Sequence, residues 1–177
     1  MSQIIDFYNG SGTDHKGRSW AEIVSQTDEW LEKTHDYIQI LFPLEEPSKY
    51  NVHAPVLTNE DILAFQEKDS LLGKRLKTSF FVMMMFYGFE LYSGGTFSKY
   101  EIKFIKDRGS FKERSKVWIS RDNHNYMRIT RILRSLCLLG LRPYAEAFME
   151  CLLDLKKEFD FDIPNTTVEF WMEAIEC

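Results

Sequence analysis

Only three cysteines occur among 177 residues, Cys137, Cys151 and Cys177, and no CxxC spacing joins them. That scarcity excludes a disulfide-stapled scaffold and a four-cysteine zinc module, and it fits reduced, mostly buried thiols. Long hydrophobic runs are missing too. The longest uncharged stretch of the apolar middle, Thr78 to Phe89, has 12 residues, where a spanning helix needs about 18 or more. The start, MSQIIDFYNG, lacks the basic n-region and apolar run of a secretory signal. The expected compartment is the cytoplasm, with nuclear association open to a eukaryotic chain. Nine glycines and five prolines are too few for collagen-like or low-complexity sequence. Neither sign of charge dominates, since 22 Lys+Arg stand against 27 Asp+Glu for a net −5. As a total, that acidic balance argues against a nucleic-acid binder, which needs a basic footprint. No Gly-rich phosphate loop, GxSxG elbow or HExxH pair is present.

What remains is a chain 44% hydrophobic and 15% aromatic, long enough to bury about 70% of its unfolded surface without staples. It reads as one mainly all-α domain over 1–177, a bundle of six or seven helices. The first 18 residues, with Gly10, Gly12 and Gly17, read as turns and loop. Ser19 and Glu22 have capping-box spacing and open a short helix through Val24. Thr27 starts the next: at about 100° per residue, Trp30, Leu31, Thr34, Tyr37, Ile38, Leu41 and Phe42 share one arc of roughly 140°, and Pro43 ends it. Pro43, Pro47 and Pro55 then stiffen a connector that Tyr50, Val52, Val56 and Leu57 are expected to dock. Thr58 and Asp61 cap a helix through Phe65. After Asp69 a long apolar helix runs to about Tyr92, stopped by Gly94-Gly95. Within 96–122, IKFIK and KVWIS alternate enough for a short hairpin inside 100–120, although Gly109-Ser110 could equally separate helical turns. Asn123 or Asn125 begins a helix to Leu139, closed by Gly140. Pro143 begins another through Phe159, and Asn165 caps a last one, about 165–176, that carries Val168, Trp171, Met172 and Ile175.

Among groups able to carry chemistry, His35-Asp36 is the dipeptide found at the centre of all-helical HD-type metal phosphohydrolases, with His15 as the upstream histidine such a site needs. On a continuous helix the two side chains diverge: His35 lies about 20° beyond the apolar arc and Asp36 about 100° beyond it. The plainer reading makes His35 a core-edge histidine hydrogen-bonded to backbone or to the connector. Cys137 and Cys151 fall on apolar stripes, where a thiol is an inert small hydrophobe.

The segment NHNYMRITRILRSLCLLG is more informative. Tyr126, Ile129, Ile132, Leu133, Leu136 and Leu139 form its buried arc, while Arg128, Arg131 and Arg134 step around the opposite side among Met127 and Leu138. Guanidinium forks suit carboxylate or phosphate partners; the alternative is that they pair with neighbouring carboxylates or face water. Residues 99 to 134 hold 11 of the basic and 4 of the acidic residues, a balance of +7 that leaves −12 on the other 141. Lys99, Lys103, Lys106, Arg108, Lys112, Arg114, Lys116 and Arg121, interspersed with Tyr100, Phe104, Phe111 and Trp118, have the composition of a nucleic-acid or polyanion surface.

Two stretches, HDYIQILFPLEEPSKYNVHAPVLT at 35–58 and HNYMRITRILRSLCLLGL at 124–141, resemble the conserved N-terminal region of the opioid growth factor receptor family, and FYNG at 7–10 resembles the start of that region. The likeness extends over roughly residues 7–150. The family has a tryptophan where this chain has Ile40. The resemblance implies a helical domain, and the expectation is a stand-alone version of it. Animal members are described as nuclear-associated receptors for methionine-enkephalin that restrain growth, with long tails bearing basic targeting sequence and repeats.

The expectation is therefore a non-enzymatic helical binding module with a peptide, protein or anionic partner. Nucleic-acid binding through 99–134 and HD-like phosphohydrolysis through His15, His35 and Asp36 are the alternatives. The candidate contacts are Arg121, His124, Asn125, Arg128, Arg131 and Arg134, together with His35, Asp36, Gln39 and Asn51. No catalytic residue, metal ligand or cofactor is assigned.

Overall fold

The computed structural model of the chain describes residues 2–92 and 102–176. Ten helices and one two-stranded antiparallel sheet occur among them, so the chain is mainly all-α. Packing divides it into two units interleaved along the sequence: Met1–Val82 with Leu138–Leu141, and Met83–Cys137 with Arg142–Cys177.

The first unit begins with α1 (Gln3–Asn9), in a stretch expected to be loop. Ser2 caps it by accepting from the Ile5 amide at 3.2 Å, and Gly10, at φ 82°, closes it. The three glycines of the opening residues mask a short apolar stripe, since Ile4, Phe7 and Tyr8 all turn into the core. Ser19 and Glu22 form the expected capping box on α2 (Trp20–Val24), and Thr27 caps α3 (Asp28–Lys33). The expected single helix from Asp28 to Phe42 is broken. Thr34 is extended at ψ 130°, and a separate turn, α4 (Ile38–Leu41), resumes after Tyr37. Thr34, His35 and Asp36 are poor helix formers, and Tyr37 folds back so that its hydroxyl donates to the Leu31 carbonyl at 3.1 Å.

The connector is held by other residues than expected. Leu44 and Leu57 are buried and joined by the Leu57 amide donating to the Leu44 carbonyl at 2.9 Å, whereas Tyr50, Val52 and Val56 are exposed, Val52 at 85%. Thr58 and Asp61 box the start of α5 (Asn59–Gln66). Asp61 also accepts from the Ser2 hydroxyl, which ties α5 to α1. In the first part of α6 (Leu71–Tyr87), Arg75 donates to the Tyr8 carbonyl at 2.6 Å, and the hydroxyl of Ser79 receives the indole N–H of Trp20 at 2.9 Å. Late in the sequence the chain returns to this unit, where the Gln66 amide donates to the Leu138 carbonyl at 2.9 Å.

In the second unit α6 stops at Tyr87 and not near Tyr92, because Gly88 takes the left-handed conformation at φ 86°. The aromatic and aliphatic residues that follow become strand β1 (Phe89–Leu91), paired antiparallel with β2 (Phe104–Lys106) in the register Phe89↔Lys106. Gly94-Gly95 lies outside the described residues. IKFIK is thus the strand that the alternation suggested, but KVWIS is not its partner. Phe111, Ser115 and Trp118 are buried at helical spacing in α7 (Phe111–Trp118). The Trp118 indole donates to the Tyr87 carbonyl at 3.1 Å, and Arg114 donates to the Phe86 carbonyl at 2.7 Å.

The expected core arc of α8 (Asn125–Leu138) is buried throughout. Helices α9 (Arg142–Glu158) and α10 (Asn165–Ile175) follow; Pro164 takes the cap position expected of Asn165. Trp171 donates to the Tyr126 carbonyl at 3.1 Å, and Arg142 closes the end of α10 by donating to the Ile175 carbonyl at 2.5 Å.

A Cβ at Gly88 would lie 2.8 Å from the Cα of Phe111, on a backbone that also disfavours side chains. Gly88→Ala is expected to cost about 3 kcal/mol through strain and overlap together. Gly17→Ala, at φ 78° with nothing within 4 Å, should cost only about 1 kcal/mol. Thermal unfolding followed by circular dichroism compares the two, at about 2–4 °C per kcal/mol for a chain of this size.

Candidate functional site

In the first unit the structure brings His35, Asp36, Gln39 and Asn51 into one neighbourhood, but around the backbone and not around a ligand. Asn51 is buried; its amide donates to the Asp36 carbonyl at 3.0 Å while its oxygen receives the His53 amide at 3.0 Å. Gln39 is buried as well, and with its amide nitrogen turned toward them it reaches the carbonyls of His35 and Asp36 at 3.3 Å. Both residues therefore hold the α3–α4 turn. His35 is exposed, not a core-edge residue.

The Asp36 carboxylate meets residues that sequence reasoning did not select. Lys16 approaches it at 2.5 Å, Arg18 at 2.9 Å and His15 at 3.5 Å, and His15 stacks on His53 with ring centres 5.3 Å apart. Arg18 also grips Asp14 at 2.5 Å, whose side chain is fully buried and accepts from the Lys16 and Arg18 amides at 2.9 Å each. The four-residue spacing of Asp14 and Arg18 around Gly17 was the signal available in the sequence. Partial burial by itself would raise the Asp36 carboxyl, but Lys16 and Arg18 outweigh it and hold it below the usual carboxylate range.

This is a polar clasp, and it speaks against the HD-like arrangement. Asp36 is neutralised by two cations, and among the described residues no group of three or more His, Cys, Asp or Glu is placed to hold a metal ion. Asp36→Asn is expected to cost about 1.5–3 kcal/mol at pH 7, the range for hydrogen bonds to a charged group. Because the folded carboxyl is the more acidic one, its stabilisation is complete above about pH 4 and is lost as pH falls through the lowered folded value. The difference between the melting temperatures of wild type and Asp36→Asn should narrow steadily as pH falls below about 4.

The arginine helix of the second unit is less open than its spacing suggests. Arg128 is only 5% exposed and donates to Asn125, itself fully buried, at 3.2 Å. Asn125 is in turn bonded to Asn123, 3.0 Å from amide to oxygen, and lies 3.4 Å from a ring nitrogen of His124. Asn125 and Arg128 thus belong to the internal network that starts α8, a correction to their expected place on an exposed face. Arg131, Arg134 and His124 are half-buried. Arg121 is exposed, its guanidinium 5.7 Å over the ring of Phe161.

The basic segment is likewise partly consumed from within. Lys106 pairs with Glu158 and lies 4.8 Å over Phe111, Lys116 pairs with Glu113 at 2.7 Å, and Arg114 lies 4.7 Å over Phe86. Phe104, Phe111 and Trp118 are core residues and not a stacking platform. Lys99 and Tyr100 lie outside the described residues. Between β2, α7 and the end of α9, Lys106, Lys116 and the exposed Lys112 line a groove of about 380 Å³. Cys151 offers no nucleophile, because burial above all pushes its thiol up to about 12.

Arg128→Ala should therefore destabilise the chain by about 1–3 kcal/mol through the buried amide it leaves short of a partner. Thermal melts test this against Arg121→Ala, expected to stay within about 0.5 kcal/mol of wild type as an exposed substitution.

Helices carrying a self-contained polar clasp and an internally paired basic segment define a mainly helical module. Its sequence shows where that module belongs: the opioid growth factor receptor conserved region matches residues 9–177, and the chain is a member of that family. It is 33% identical over 149 residues to the opioid growth factor receptor of Rattus norvegicus, covering 83% of this chain and 24% of the rat protein. To that of Homo sapiens it is 34% identical over 151 residues, covering 83% and 21%. To opioid growth factor receptor-like protein 1 of Xenopus tropicalis it is 34% identical over 149 residues, covering 84% and 26%. The chain spans about a quarter of the length of these relatives. No solved structure gives a significant match. Among the described residues no helix is long and apolar enough to cross a membrane.

Proposed function

We propose that the chain is a non-enzymatic binding module for a peptide or protein partner, working in the cytoplasm, with the accessible cations of its second unit as the contact surface. The observation that carries this reading is the family membership over residues 9–177, with relatives named as receptors. The geometry supports it. The aspartate of the His35–Asp36 pair that invited a hydrolytic reading is engaged by Lys16 and Arg18, while His35 is exposed. The contacts proposed are Arg121, His124, Arg131 and Arg134. Gln39 and Asn51 act behind the surface by fixing backbone, Asn125 and Arg128 by bonding to each other at the start of α8, and no such contact is proposed for Asp36.

The test has two arms. An array of about 15-residue peptides, tiling acidic, basic, neutral and aromatic compositions and including methionine-enkephalin, is probed with the labelled full chain. Retention of at least one peptide class at a Kd of about 100 μM or tighter is expected. In parallel, nucleotide hydrolysis with added Mn²⁺ should not exceed buffer. An empty array together with turnover that Asp36→Asn abolishes would overturn the reading in favour of a metal hydrolase; an empty array alone already removes the peptide-binding module.

A further inference from the structure

Three lysines, Lys106, Lys112 and Lys116, converge with Phe111 and Phe159 on the groove between β2, α7 and the end of α9. Its lining carries a single carboxylate, Glu158, and that one is already engaged by Lys106. Among the described residues Lys116 pairs with Glu113 alone, one turn away on the exposed side of α7, with both side chains more than 60% exposed. An exposed pair of this kind is worth a few tenths of a kcal/mol, so an incoming carboxylate can replace it. Lys112 is exposed beside it. The groove therefore offers two exchangeable ammonium groups above an aromatic floor, which favours a ligand with carboxylates around an apolar side chain.

The floor also discriminates between polyanions. Base stacking requires an open ring face, yet Lys106 covers Phe111 at 4.8 Å and Phe159 at 5.9 Å. Lys106 thus occupies one face of each ring and Phe111 is buried, so the lysine stem and the ring surface beside it suit an aliphatic or aromatic side chain better than a stacked base. The net −5 of the chain does not forbid an acidic partner, since at physiological ionic strength charges beyond about 8 Å are screened and the local lysines decide.

We infer that this groove is a docking site for an acidic segment of a partner protein, in which glutamates or aspartates flank one phenylalanine or comparable apolar residue. The ammonium groups of Lys112 and Lys116 take the carboxylates, and the apolar side chain enters beside Phe111 and Phe159. This rests on the binding-module reading and adds, beside the contacts proposed on Arg121 and α8, a second place with its own partner chemistry.

The experiment is a fluorescence-anisotropy titration of the full chain with a labelled Gly-Ser-Glu-Glu-Glu-Phe-Glu-Glu-Glu-Gly-Ser peptide, at about 50 and about 300 mM NaCl. Comparators are the same peptide with serine for phenylalanine, the same peptide with lysine for glutamate, and oligothymidylate. Binding at about 100 μM or tighter is expected, weakened about fivefold or more by salt and by loss of the phenylalanine. Lys112→Glu combined with Lys116→Glu should weaken it about tenfold or more with unchanged melting temperature, because both side chains are exposed. Absence of binding at about 1 mM peptide, equal binding by the double variant, or an equal or tighter affinity for oligothymidylate overturns the inference. If the array retains peptides of another composition, the binding-module reading stands and only the acidic-segment site is lost.

Discussion

The guanidinium of Arg18 sits between two carboxylates, Asp14 and Asp36, and the geometry of the first unit follows from that placement. Charge-assisted hydrogen bonds are roughly twice as strong as neutral ones, and here they act on a stretch, Thr34 to Tyr37, with little helical preference of its own. Pulling Asp36 inward interrupts the helix after Lys33. The interruption lets α4 turn, and α4 then presents the Leu41 carbonyl to the hydroxyl of Tyr8. Asn51 fastens the connector to the same backbone, so one ion cluster orders the α3–α4 turn and the Pro-rich stretch that follows it. Asp14 is preset for the role by accepting two amides from its own loop.

The family resemblance, the helical class and most helix starts were legible because they depend on local spacing: Ser19 with Glu22, Thr58 with Asp61, and the buried arc of α8. What could not be read depended on partners distant in sequence. The period around Trp30 to Phe42 is genuine, and all seven of its arc residues lie within α3, α4 or their immediate caps, yet the chain between them bends because Arg18 competes for Asp36. The end of α6 was misplaced because two glycine signals competed: Gly88 is set by the close approach of α7 at Phe111, a fact absent from any local window. Among the candidate site residues, Asn125 and Arg128 looked exposed because a three-residue step places arginines off the main apolar arc. The angular step does not reveal that the start of α8 is itself covered. The clasp partners Lys16 and Arg18 are not legible from the Gly-rich loop they stand in, because the carboxylate they meet, Asp36, lies well beyond any local window.

Charge in this chain is organised by pairing more than by sum. Several cations of the basic segment lie over aromatic rings, Lys106 over Phe111 and Phe159, Arg114 over Phe86, Arg121 over Phe161. Such contacts keep the long side chains extended along apolar surface with their heads near water. The mixture of lysine and aromatic residues that suggests a nucleic-acid surface in one dimension becomes, in three, a way of covering the core. A short local excess of lysine survives beside α7, and it is this remainder, not the overall −5, that sets the kind of neighbour the second unit can attract.

The return of residues 138–141 to the first unit, where Leu138 receives the Gln66 amide, has a temporal meaning. As the chain leaves the ribosome, its amino-terminal unit cannot reach its final form when its own contiguous stretch has emerged. It must wait until residues 138–141 are out, by which time much of the other unit is already available to fold. Any fragment cut at a single position after Val82 strands a piece of one unit in the other. The interleaving makes completion of the two units a shared event in biosynthesis.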